Sequence, residues 1–267
     1  MLKDITLGQY FPIDSVIHKI DPRFKIMFTL CYIVLIFFAA SPAGYLAVGI
    51  FSFLVIKLSK VGFKVVLKSL KPLLFIICFT AVINLFFTGG DTVVWQWKFL
   101  KITTDGIINA ANMALRLVFL VVGSSILTYT TSPILLTDGI ERLLSPFAKL
   151  GLPSHELAMM MTIALRFIPT LLEETEKIIM AQKARGADFE SGNLIRRAKA
   201  LIPVLVPLFI SAFRRADELA TAMECRCYRG GKGRTSLRQL RVTSLDWIAL
   251  GAMLVFALVI IFINLGF

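Results

Sequence analysis

This chain has little with which to do chemistry. Its only two histidines, His18 and His155, stand far apart. Its four cysteines are split between apolar runs (Cys31, Cys78) and a basic region (Cys225, Cys227). Cys225-x-Cys227 has neither a second pair nor a neighbouring histidine, so no zinc site is expected. With that region on the cytoplasmic side, disulfides are not expected either. A phosphate loop is also missing: Gly230-Gly231-Lys232-Gly233 lacks the glycine five residues before the Gly-Lys pair, and no strand precedes it. Glu173, Glu174 and Glu176 cluster on one helix, which fits a solvated face or pairing with bases such as Lys177 better than acid–base catalysis. No catalytic constellation is present, and the chain is not expected to be an enzyme. The first 25 residues hold charges and two prolines but no continuous apolar core, so no cleavable signal peptide is expected.

Hydrocarbon is what the chain has in excess. It is 57% apolar and only 17% charged, with a mean hydropathy of +0.79, against roughly 45–50% apolar in soluble domains. That composition belongs to an integral membrane protein. The net charge of +12 could suggest nucleic acid, but the lysines and arginines sit between apolar runs, as cytoplasmic loops require. No nucleic-acid partner is expected.

Five apolar runs read as membrane spans. Asp21-Pro22 is a helix start, a capping aspartate followed by proline in the first turn, and leads into the run 24–40. Ser41-Pro42-Ala43-Gly44 is an uncharged turn before the run 45–56. Both are shorter than the ~20 residues of a straight span and lean on snorkelling flanks such as Lys25 and Lys57. Lys57, Lys60, Lys64, Lys68 and Lys71 recur at three- and four-residue spacing, which describes a basic amphipathic segment at the cytoplasmic face. Its lysines, with Arg196, Arg197 and Lys199 further on, suit anionic membrane lipid. Residues 72–87 form a third span. The loop that follows has charges summing to zero and carries Trp95 and Trp97 as interfacial aromatics, so it reads as external. Residues 106–130 and 245–266 complete the set. A basic N-terminus lies inside, and an odd number of spans leaves the C-terminus outside.

The fourth span carries a polar stripe. Asp105, Asn109, Asn112 and Arg116 are spaced four, three and four apart and share one helix face. An arginine at membrane depth normally faces a bundle interior. The stripe is either an internal hydrogen-bonded seam, with Asn84 as a neighbour, or a contact or gate toward a partner.

Between residues 131 and 244 the chain becomes charged, with helix starts at Ser132-Pro133 and Pro153-Ser154. The apolar stretches 157–172 and 201–213 are interrupted by Arg166, Pro169, Pro203 and Pro207. Carrying them across the bilayer would strand many basic residues outside, so they read as amphipathic helices at the cytoplasmic surface. Two short segments inside this region echo each other: Ala184-Arg185-Gly186 and Cys225-Arg226-Cys227. Each sets an arginine between small residues, downstream of an acidic residue (Glu176, Asp217) and a proline. Small neighbours let a backbone end approach a groove closely, and arginine offers a rigid fork to carboxylates. Gly186 and Gly230 suit helix C-termini, where arginine also complements the dipole. Docking into two sockets is one reading; snorkelling at a membrane surface is the other.

These segments, with His18-Lys19-Ile20-Asp21-Pro22-Arg23-Phe24-Lys25, the run from Ser132 to Phe147 and the run from Ile163 to Glu174, resemble the transmembrane T component of energy-coupling factor (ECF) transporters over essentially the whole chain. The resemblance implies an all-α integral membrane protein: a bundle of about five transmembrane helices (1–130 and 245–267) plus a cytoplasmic coupling domain of three long amphipathic helices (131–244). It implies a non-catalytic scaffold in the cell membrane for vitamin or micronutrient uptake. Its arginines, Arg185 and Arg226, would dock into two ATP-binding-cassette (ABC-type) ATPase subunits, which bind the ATP; the chain itself would bind no cofactor. An exchangeable, membrane-embedded S component would capture the substrate. Methionine-rich apolar faces adapt to several partners, which makes Met159, Met160, Met161, Leu165, Leu201 and Leu205 candidates for its contact surface. At the second tip this chain departs from the family's more usual alanine and glycine, having Cys225 and Cys227. The competing reading is a small self-contained transporter or channel, motivated by the Asp105-to-Arg116 stripe.

Overall fold

A computed structural model describes residues 10–39, 41–89, 93–97, 100–150, 153–189, 193–230 and 240–265. They fall into two compact units, one formed by 8–139 with 239–267 and the other by 140–238.

The first unit is a helical bundle. A short α1 (Val16–Lys19) precedes α2 (Pro22–Phe38), α3 (Pro42–Ser59), α4 (Phe63–Leu70), α5 (Leu74–Phe87) and α6 (Thr104–Thr130), and α10 (Ser244–Leu265) returns to it from the end of the chain. Helix starts follow local chemistry. Asp21 caps α2, its carboxylate accepting from the Arg23 N–H, and Ser41 caps α3 by accepting from the Gly44 N–H. Among the described residues, five stretches are long and apolar enough to cross a membrane: Pro42–Ser59, Phe63–Phe87, Thr104–Thr130, Ser154–Ala184 and Ser244–Leu265. This set differs from the sequence expectation in two places. The first span becomes a helix of 17 residues, about 25 Å long, and Ser154–Ala184 qualifies despite Arg166 and Pro169.

The bundle core is built by α2, α3, α6 and α10. Ile36, Val48 and Ile260 are almost completely buried, and the rings of Phe51 and Phe256 stack at 4.1 Å. Tyr32 and Ser52 share a buried hydroxyl–hydroxyl bond of 2.7 Å. Gly123 makes this packing possible: a Cβ there would lie 2.3 Å from Cε1 of Tyr32. Small residues of this kind let membrane helices close on one another without a clash. A second cluster, with Val66 of α4 under Val122, Ile126 and Tyr129 of α6, holds the basic amphipathic helix down. Lys57, Lys60, Lys64, Lys68 and Lys71 stay exposed.

The loop after α5 is more ordered than its sequence suggests. Strands β1 (Val93–Trp97) and β2 (Leu100–Thr103) pair antiparallel, with Trp95 opposite Ile102 and a register shift between Val93 and Trp95. Aromatic and β-branched residues favour such a ribbon, a signal that the loop's charges do not carry. The side chains of Trp95 and Trp97, expected at an interface, lie outside those described.

Residues 18–25 form a polar clamp. The Asp21 N–H donates to Oδ1 of the fully buried Asp246 (2.7 Å), whose Oδ2 accepts from Thr243 N (2.6 Å) and Thr243 Oγ1 (2.9 Å). One carboxylate thus caps α10 and grips the start of α2. Buried Lys25 donates to the carbonyls of His18 and Thr130 and to Oγ1 of Thr131. Arg23 forms an ion pair with Asp21 at 2.8 Å. Burial pushes the Asp21 carboxyl up, but hydrogen bonds from the Arg23 side chain and backbone outweigh it, so its pKa lies below the ordinary value. His18 donates from Nε2 to the Phe11 carbonyl and accepts at Nδ1 from Ser15; burial lowers its pKa, which favours the neutral ring.

Candidate functional site

The second unit carries both arginine segments. Its frame is α8 (Ser154–Ala184) and α9 (Leu194–Cys225), preceded by a 12-residue helix α7 (Pro133–Leu144) that straddles the unit boundary. His155 Nδ1 donates to Glu141 at 2.9 Å, tying the end of α7 to α8. Among the described residues no group of His, Cys, Asp and Glu is arranged to hold a metal ion, and Gly231, Lys232 and Gly233 lie outside those residues.

α8 and α9 pack antiparallel and are braced by polar bonds. Glu174 accepts from Arg215 Nη2 at 2.7 Å and from Ser211 Oγ. The acidic cluster is thus tied across the helix pair by a base on α9. Further along, Gln182 Nε2 donates to the Pro203 carbonyl at 3.3 Å. That carbonyl is free because Pro207, four residues on, has no N–H to offer it. The proline that weakens α9 therefore creates an acceptor that α8 uses.

Both arginine segments end their helices in the same way. Arg185 is the C-cap of α8. The Gly186 N–H donates to Lys183 O (3.0 Å) and the Ala187 N–H to Gln182 O (3.0 Å), with Gly186 at φ +86°. Arg226 is the C-cap of α9. The Cys227 N–H donates to Glu224 O (2.8 Å) and the Tyr228 N–H to Met223 O (3.0 Å), with Cys227 at φ +56°. Each is a Schellman motif. The second left-handed position belongs to Cys227, and the expected glycine, Gly230, lies beyond the stop. Ala184, Arg185, Gly186, Cys225, Arg226 and Cys227 are all exposed. Gln182 faces Pro203, so the first tip stands near the start of α9 and the second at its far end, about 35 Å away at 1.5 Å per residue.

The helix pair leaves a broad apolar surface open. Met160, Met161, Leu201 and Leu205 are exposed and Met159 and Leu165 half-buried, whereas Val204 is buried. The surface extends to Ile202, Val206, Phe209, Ile210 and Phe213, which sequence reading passed over. Their recurrence at three- and four-residue spacing was the available signal. Toward the second tip, Phe213, Arg214, Asp217 and Glu218 line an open groove of about 790 Å³.

The polar stripe of α6 divides. Asp105 and Asn109 are exposed, and Asn112 and Arg116 half-buried. Arg116 Nη2 donates to the Tyr45 hydroxyl at 3.3 Å, and its guanidinium carbon lies 5.3 Å from the centre of the Phe37 ring. Asn84 donates to Thr80 O in its own helix.

Comparison with known proteins identifies the family. The family described as cobalt transport protein matches residues 14–237. The energy-coupling factor transporter transmembrane protein EcfT of Clostridium kluyveri is 61% identical over 250 residues, covering 93% of each chain. Its counterpart in Ruminiclostridium cellulolyticum is 57% identical over 256 residues, 96% of each, and that of Lactococcus lactis is 43% identical over 260 residues, 97% of this chain and 98% of the relative. A family match over residues 14–237 and near-full-length alignment at 43–61% identity show that the chain belongs to the family of T components, the transmembrane energy-coupling subunits of ECF transporters.

Proposed function

We propose that this subunit passes ATP-driven motion of two ABC-type ATPase subunits to a separate, exchangeable S component in the membrane. The observation that carries the reading is the pair of exposed, arginine-capped Schellman stops at opposite ends of one braced helix pair. Each guanidinium enters an ATPase groove and pairs with carboxylates there, and the small neighbours permit the close approach. Closure of the ATPase pair on ATP draws the tips together and shears α8 against α9. The open apolar surface around Met160, Met161, Leu201 and Leu205 carries that shift to the S component, which selects the vitamin or other micronutrient. ATP stays on the partners, and the chain is itself non-catalytic. The N-terminus and the 131–244 coupling domain face the cytoplasm and the C-terminus the exterior; the lysines of α3 and α4, with no carboxylate nearby in sequence, support that orientation.

Arg185→Glu and Arg226→Glu together test this. A desolvated charge pair lost at an interface costs about 2–5 kcal/mol, so ATPase co-purification should weaken at least ~30-fold and uptake should cease, with membrane insertion unchanged. Wild-type assembly and uptake in the double variant would refute docking. Substrate flux through the reconstituted chain alone would favour a self-contained transporter instead.

A further inference from the structure

A cavity in the first unit is not used by any of this. It measures about 240 Å³ and lies between α1, α2, α3, α6 and α10, larger than the ~150 Å³ apolar cavity that a small aromatic hydrocarbon can fill. α3 and α10 meet at the Phe51–Phe256 stack and leave a cleft nearer α1, floored by Tyr32, Ile126 and Met253. Leu54 and Leu58 on α3 and Ile248 on α10 line it and are 51%, 45% and 67% exposed, so the mouth is apolar and opens sideways from the bundle. On helices that cross a bilayer, such a mouth faces acyl chains.

The polar surroundings sort the possible occupants. Lys25 lines the cavity but is nearly fully buried, and its ammonium is saturated by three acceptors. It has no donor left for a ligand, so a charged group gains nothing by entering. Among the described residues, the exposed charges of α1, of the end of α3 and of the approach to α10 are Lys19, Lys57, Lys60 and Arg241, against one exposed carboxylate, Asp14. We propose that the cavity holds one acyl chain of an anionic glycerophospholipid, its tail in the cleft between α3 and α10 and its phosphate among these cations.

The test is native mass spectrometry of the full chain, released from bilayers of equimolar phosphatidylglycerol and phosphatidylcholine. The wild type should retain one lipid, phosphatidylglycerol favoured at least about fivefold, since each lysine near an anionic headgroup is worth about 1 kcal/mol. Ala249→Phe, which fills the cleft, should abolish the adduct; Ala252→Leu, a milder filling, should weaken it and serves as the readout if Ala249→Phe does not fold. Lys57→Glu with Lys60→Glu should make the two lipids equivalent. An undiminished adduct in both cavity-filled variants, equal retention of the two lipids by the wild type, or a detergent adduct only would each overturn the assignment.

Discussion

Replacing Asp246 by alanine should unlatch the bundle. The carboxylate is fully buried and accepts three hydrogen bonds. The Asp21 N–H it serves is buried as well, and an orphaned buried donor costs about 1–3 kcal/mol. Thr243 is exposed and water can take its N–H, so the loss there is that of a helix cap, about 1 kcal/mol. Lys25, buried nearby, would lose a neighbouring negative charge. The donor and the cap together come to roughly 2–4 kcal/mol, which for a chain of this size lowers the melting temperature by roughly 4–16 °C. Intrinsic tryptophan fluorescence during thermal unfolding in detergent reads this, with Trp247 next to the substituted position. Asp246→Asn should recover little, because its amide would turn a donor toward the Thr243 N–H. An Asp246→Ala variant melting within about 2 °C of wild type would show that the clamp does not hold the helix ends.

Gly123→Ala should destabilise the bundle by about 1–3 kcal/mol, because the new methyl meets the Tyr32 ring at 2.3 Å; the same thermal assay checks it. Gln182→Leu should lower uptake without loss of ATPase co-purification, since it removes the bond to Pro203 and leaves the tip intact. Adding Pro207→Ala restores an N–H to that carbonyl and should shrink the Gln182→Leu effect, a coupling of about 1 kcal/mol readable in a double-mutant cycle. Cys227→Gly should stabilise the second tip by about 1 kcal/mol, relieving a non-glycine residue at φ +56°. Thermal unfolding would register that gain, and ATPase co-purification should be unchanged.

Much of the plan was legible in the chain itself. Asp21-Pro22 announced the start of α2 because capping is local chemistry, settled within three residues. Apolar runs separated by lysines marked most of the membrane helices because transfer into hydrocarbon is a sum over one segment. The two arginines between small residues stood out as a pair for a similar reason: a helix stop is written in its last turn. What could not be read locally was everything that depends on a distant partner. Asp246 stands at the start of the last helix, and only the return of α10 to the bundle brings its carboxylate to the Asp21 N–H, 225 positions away. Arg116 looked like part of a stripe, yet Tyr45 and Phe37 receive it.

The same division holds at the tips. Sequence alone placed Arg185 and Arg226 near helix C-termini, through the glycines that follow them at 186 and 230, since a helix stop is local chemistry acting over a few bonds. Tertiary structure decided that Cys227 takes the left-handed position expected of a glycine, with paired carbonyl bonds compensating the strain. It also decided that the tips stand at opposite ends of one braced pair. That arrangement rests on Glu174 reaching Arg215 and on Gln182 finding the carbonyl that Pro207 leaves free. Helix direction and partner choice are set by which side chains meet across the packed surface, and no window along the chain contains that information.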